Sequence, residues 1–139
     1  MIAIIIYIII VAILTSLGGN IRNVTSPLQL PSIYPPVYLF GLIWSILFVI
    51  FGIFLYNASD SLQVIGIVYF TLVLLWTPLF VYTKSTAVGF YYLLLVVILT
   101  IVLLVLSIYD SHPSWWLLVP QLLWVSFATL LSFLLYRLN

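Results

Sequence analysis

From residue 37 to residue 56 the chain runs without a single Asp, Glu, Lys, Arg or His, and four further stretches share this character. A hydrocarbon core about 30 Å thick is crossed by roughly 20 apolar residues in a helix, whose backbone groups all pair within the segment. Runs of this kind therefore commit the chain to a bilayer. A transmembrane barrel is excluded, because its strands alternate apolar and polar residues over about ten positions and these runs are continuous and about twice as long. A soluble amphipathic bundle is excluded as well, since each run is hydrophobic around most of its circumference.

Composition agrees. Of 139 residues, 67% are hydrophobic and 4% charged, with three basic and two acidic side chains. Soluble domains are typically about 45–50% apolar and about 25% charged, and so few charges cannot build an aqueous surface. A soluble enzyme and a disordered segment are disfavoured together. Nucleic acid is not an expected partner, because phosphate neutralisation needs a basic patch and the net charge is +1. The absence of cysteine removes disulfides and thiolate metal sites.

The chain divides into one domain, residues 1–139, with spans at about 1–18, 37–56, 62–82, 87–109 and 115–136. The expected fold class is all-α, an integral membrane bundle of five transmembrane helices. The first run ends at Gly18, Gly19 and Asn20, which readily stop a helix. It lacks the positively charged start of a signal peptide and is expected to be retained. Residues 20–36 carry four prolines among Arg, Asn, Ser, Thr and Gln, and read as an irregular loop. Arg22, Lys84 and Arg137 fall on one side of the predicted bundle, and Asp60, Asp110 and His112 on the other. The positive-inside rule then puts the long loop and the C terminus in the cytoplasm and the N terminus outside. Tyr109, Trp115, Trp116 and Tyr136 lie at span boundaries, where amphipathic rings meet headgroups.

None of the acidic, basic or histidine side chains lies deep in a span, which argues against a proton-coupled transporter or an ion channel. His112, beside Asp110, reads as a solvated loop histidine rather than a ligand to metal or haem. Neither a metal site nor a catalytic residue is expected: one His and two split carboxylates do not converge, and no base lies near the serines of the spans. The sequons at Asn23 and Asn57 read as chance patterns. The aromatic residues carry more. Phe40, Trp44, Phe48 and Phe51 recur at intervals of three and four and share one helical stripe; Trp124, Ala128, Leu131 and Leu135 do the same. Spacing alone is satisfied by packing. The mixture of rings with small neighbours (Gly41, Ser45, Ala128, Ser132) also allows close helix approach and a slot for a flat apolar ligand.

Three segments carry a resemblance: LQLPSIYPPVYLFGLIW at 28–44, LLWTPLFV at 74–81 and WLLVPQLLWVSFATLLSFLLYRLN at 116–139. Together they resemble the TspO/MBR family, the tryptophan-rich sensory and translocator proteins, over about residues 18–139, with the first span matching by hydropathy only. Departures are Val24 for a Trp, Leu30 for a Lys, Val73 for an Asn, Tyr92 for an acidic residue, and Ser132 with Phe133 for an Asn-Tyr pair. Tyr136 abuts Arg137 without the spacing that the family's sterol motif demands. The resemblance implies a ligand site from Phe40, Gly41, Trp44, Phe48, Trp76, Pro78, Pro120, Trp124, Ala128 and Leu131. It implies burial of a porphyrin or haem against Trp44 and Trp124, with loop 20–36 as a lid and no obligatory cofactor. Pro78 and Pro120 also read as helix kinks. The implied role is sensory, regulatory or in transport; the alternatives are photo-oxidative porphyrin breakdown and a membrane scaffold without ligand. Membrane lipid is the expected environment, a homodimer the expected assembly, and a prokaryotic cell membrane the expected location.

Overall fold

The computed structural model describes residues 1–17, 21–25 and 27–139. Every regular element among them is helical: α1 (Ile2–Leu17), α2 (Ile21–Thr25), α3 (Val37–Asn57), α4 (Asp60–Thr83), α5 (Thr86–Tyr109) and α6 (Leu118–Leu138). A 3₁₀ turn, Trp115–Leu117, leads directly into α6. Four helices, counting that turn with α6, are long and apolar enough to cross a bilayer. With 16 residues α1 is shorter, rising about 24 Å at roughly 1.5 Å per residue. Gly18, Gly19 and Asn20, read above as a helix stop, lie outside the described residues. Part of the loop expected to be irregular is helical, since Ile21–Thr25 forms one short turn of α2.

Local chemistry sets the helix ends. Ser59 caps α4 by accepting from the Leu62 N–H, and Ser85 caps α5 by accepting from the Val88 N–H. Such caps satisfy backbone donors that have no partner within the helix. Between α4 and α5, Lys84 takes a left-handed conformation at φ 52° and its N–H reaches the Phe80 carbonyl, closing the turn. Pro78 lies inside α4, whereas Pro120 falls in the first turn of α6. A first-turn proline interrupts no helical bond, so the kink expected at Pro120 has no cause.

The core is aromatic. Phe51 stacks on Phe70 with ring centroids 4.4 Å apart, and Tyr7 meets Phe70 edge-on at 5.3 Å. The Tyr7 hydroxyl donates to the Phe48 carbonyl at 2.8 Å, tying α1 to α3. Lipid tails are as apolar as these side chains, so burial from lipid drives little and dense packing must hold the helices together. Gly66 is where such packing needs a missing side chain: a Cβ there would lie 2.7 Å from Leu55 Cδ2, and Leu55 is itself fully buried. Gly66→Leu is expected to lower stability by about 1–3 kcal/mol through overpacking. Thermal unfolding in detergent checks this; an unchanged midpoint would show that the α3–α4 contact is loose.

One buried polar chain crosses three helices. Thr100 Oγ1 donates to the Val96 carbonyl at 2.7 Å, which leaves the Tyr69 hydroxyl to donate to Thr100 Oγ1 at 2.7 Å. Tyr69 in turn accepts from Gln121 Nε2 at 3.3 Å. The chain links α6 to α4 to α5; such interhelical bonds average about 0.6 kcal/mol in bilayers.

The two ends of the bundle differ in chemistry. At one, Ser59 Oγ donates to Asp110 Oδ2 at 2.9 Å. His112 sits there too, but not in solvent as expected: it is 3% exposed and its ring stacks on Phe54 at 4.9 Å. The ring Nδ1 accepts from the Ser114 N–H, and the backbone N–H of His112 donates to the Ser107 carbonyl, so the turn folds the ring inward. At the opposite end Gln29 and Asn139 exchange two hydrogen bonds, of 2.9 and 3.1 Å, latching the first loop to the C terminus. Arg137 lies at this second end, with its guanidinium 6.0 Å from the Phe133 ring.

Candidate functional site

Beneath the latched loop, α3, α4, α5 and α6 enclose a cavity of about 40 Å³. Its wall begins with Phe40 in the first turn of α3, tilted against Tyr34 of the loop at 5.4 Å and edge-on to Trp124 at 5.8 Å. Trp44, one turn further along α3, is next. From α4 come Trp76 and Phe80, stacked 5.3 Å apart at an interplanar angle of 12°. The Trp76 indole N–H donates to the Gly89 carbonyl at 3.0 Å, which fixes the ring. Gly89 admits this approach because it lacks a side chain: a Cβ would meet Phe80 Cδ2 at 3.0 Å. Ala128, Leu131, Ser132 and Leu135 close the wall from α6, while Leu93 of α5 and Thr25 of the loop complete it.

Among the described residues no charged side chain lines this cavity, and its polar groups are few. Thr25 is 4% exposed and hydrogen-bonds Tyr34 through its side chain. Burial pushes the Tyr34 hydroxyl above its ordinary pKa, and the Thr25 bond offsets part of that rise. Tyr34 is therefore a neutral phenol at physiological pH. The Trp124 indole N–H is buried with no acceptor among the described residues. It lies behind Phe40 rather than on the wall of this cavity.

Five of the ten residues implied by the resemblance line this cavity together: Phe40, Trp44, Trp76, Ala128 and Leu131. Trp124 touches it through Phe40 and also lines an outer groove between α3 and α6 with Pro120. Gly41 and Phe48 line a separate groove toward α1, and Pro78 lines one between α4 and α5. The close helix approach expected at Gly41 and Ser45 does not occur. A Cβ at Gly41 would meet nothing within 4 Å, and Ser45 is exposed. Of the departures from the family pattern, Ser132 lines the cavity, whereas Val73 faces the α1-side groove and the Tyr92 hydroxyl donates to the Leu72 carbonyl at 2.6 Å.

Sequence reasoning did not select Thr25, Tyr34, Phe80, Leu93, Ser132 or Leu135 for the site. For two of the elements the signal was present. Phe80 follows Trp76 by one turn, and Ser132 and Leu135 continue the stripe from Ala128. Thr25 and Tyr34 belong to the loop, where no periodicity reveals what folds inward.

At about 40 Å³ the cavity is far below the roughly 300–1,000 Å³ of typical ligand pockets. It admits a few water-sized groups, so a larger ligand requires ring rotation or helix separation.

A sequence model of the TspO/MBR family matches residues 2–137, which extends the likeness through the first run. The chain is 32% identical over 118 residues to Tryptophan-rich protein TspO of Chlorobaculum tepidum, spanning 78% of this chain and 75% of that protein. It is equally identical over the same length to Tryptophan-rich protein TspO of Archaeoglobus fulgidus. Protein CrtK of Rhodobacter capsulatus is 30% identical over 129 residues, 81% of this chain and 76% of the relative. Matched across nearly its whole length and built on helices of bilayer-crossing length, the chain belongs to the TspO/MBR family of integral, multi-pass membrane proteins.

Proposed function

We propose that the protein takes a flat, apolar ligand of the porphyrin class, haem or its metal-free relatives, into the cavity beneath the loop. The observation that carries this reading is the wall itself: Tyr34, Phe40, Trp44, Trp76 and Phe80 present five rings to one uncharged space. Aromatic faces suit a conjugated macrocycle, and a few convergent hydroxyls suit the orientation of its polar edge. Val73, which faces the α1-side groove, supplies no polar group to this space.

Binding must enlarge the cavity, and the filled and empty shapes then differ. A ligand that favours one shape shifts the population toward it, which is the physical basis for a sensory, regulatory or transport role. Any porphyrin chemistry would be the pigment's own, because no carboxylate, histidine or basic side chain lines the site among the described residues. In this reading α1 also crosses the bilayer, giving five spans in a prokaryotic cell membrane. Lys84 and Arg137 then face the cytoplasm, the N terminus lies outside, and the assembly is a homodimer.

Titration of the purified protein with protoporphyrin, followed by tryptophan quenching, tests the site. Trp115 and Trp116 are exposed at the far end and provide a weakly quenched background. Trp44→Phe and Trp124→Phe are each expected to weaken binding several-fold and to reduce the quenched fraction. If both variants match the parent in affinity and quenching, the site is misassigned; a new absorbing product under illumination would convert binding into breakdown.

A further inference from the structure

Over the cavity, where a lid would be expected to open, the loop is tied down. Gln29 and Asn139 latch the loop to the C terminus, and Thr25 and Pro31 are buried beneath it. The opposite condition holds on the α1 side. There α1 packs chiefly on α4 and touches α3 less extensively, with the Tyr7–Phe48 hydrogen bond as a tie between them. On the basic-end side of this tie lies a groove of about 460 Å³ among α1, α3 and α4. It is more than ten times the volume of the central cavity.

Two features of this groove bear on function. First, among the described residues Trp44 is the one lining residue that it shares with the central cavity, and its indole forms the common wall. The other groove between α1 and α3, about 530 Å³ in volume, shares no lining residue with the cavity. Second, the hydroxyls of Thr15, Ser45 and Thr77 line the groove, whereas the other is lined almost wholly by apolar atoms. Ser45 lies eight positions into α3, roughly 12 Å below that end at 1.5 Å per residue. Hydroxyls at this depth lower the cost of carrying the polar edge of an amphiphile inward from the headgroups.

We propose that this groove is a lateral doorway, through which an amphiphilic planar ligand passes from the leaflet on the basic side into the central cavity by displacement of Trp44. The proposal rests on the porphyrin-class reading above and adds the route and its gate. A side chain that narrows a passage raises the barrier in both directions and leaves the end states alone, so rates change and the equilibrium does not.

The test is stopped-flow tryptophan quenching with protoporphyrin and the full chain in phosphatidylcholine vesicles. Ser45→Phe and Thr15→Phe narrow the groove from opposite banks at exposed positions, where a larger side chain extends into lipid. Each is expected to slow association and dissociation together by at least fivefold, with Kd within twofold of the parent. Asn139→Ala, which removes the loop latch, is expected to leave both rates unchanged. Unaltered rates in both groove variants, or faster binding on release of the latch, would place the passage under the loop and overturn the proposal. A weaker Kd at unchanged association rate would make the groove a binding site rather than a passage, which also overturns it. No quenching of the parent protein at equilibrium removes the porphyrin reading itself, and is recognised before any rate is compared.

Discussion

Ala128→Leu is expected to lower affinity for protoporphyrin by at least tenfold, about 1.4 kcal/mol, while leaving the unfolding midpoint within a few degrees of the parent. Ala128 lines a cavity of about 40 Å³, and the added carbons of leucine occupy that space. In a filled core the same enlargement would cost about 1–3 kcal/mol through strain. Here the empty form gains contacts, so the substitution favours the closed shape and works against the enlarged one that a macrocycle needs. Equilibrium quenching together with thermal unfolding in one detergent separates the two effects. Loss of stability without loss of affinity would mean that position 128 is packed core and that the ligand binds elsewhere.

The largest effect on stability is expected at Phe51. Its side chain is 2% exposed, stacks on Phe70 at 4.4 Å and lies within 6 Å of the rings of Tyr7, Phe54 and Tyr69. Phe51→Ala is expected to cost about 2–3 kcal/mol, somewhat below the roughly 3–5 kcal/mol of water-soluble cores. The difference has a cause: in a bilayer the transfer contribution is small, and the lost contacts around the cavity remain. Reversible unfolding in mixed detergent measures it. A cost under 1 kcal/mol would show that the aromatic cluster is not what joins α1, α3 and α4.

The helices were legible because continuous apolar length is a local property. Spans expected at 37–56, 62–82 and 87–109 appear as Val37–Asn57, Asp60–Thr83 and Thr86–Tyr109, and the short polar connections supply Ser59 and Ser85 as caps. The faces of those helices were not legible. When a helix is apolar all round, periodicity does not distinguish the side that meets lipid from the side that meets protein. This is why the stripe from Phe40 to Phe51 divides in three dimensions. Phe40 and Trp44 reach the cavity, Phe48 turns to the α1 groove, and Phe51 enters the core. Gly41 and Ser45 met no partner helix for the same reason, whereas Gly66 and Gly89 did. His112 was misread because a turn with Ser111 at φ 55° folds its ring onto Phe54, a tertiary contact that no neighbouring residue announces.

By itself, then, the sequence determined the solvent, the helical class, the family and the sorting of charges to the two ends. All of these follow from composition and from the order of residues along one dimension. Only the tertiary structure decided which rings share a space, that the loop is latched at Gln29 and Asn139, and that Trp44 stands between a small cavity and a larger groove. Those relations join residues far apart in the chain. In a bilayer they depend on the fit of one apolar surface to another, and hydropathy assigns all such surfaces the same value.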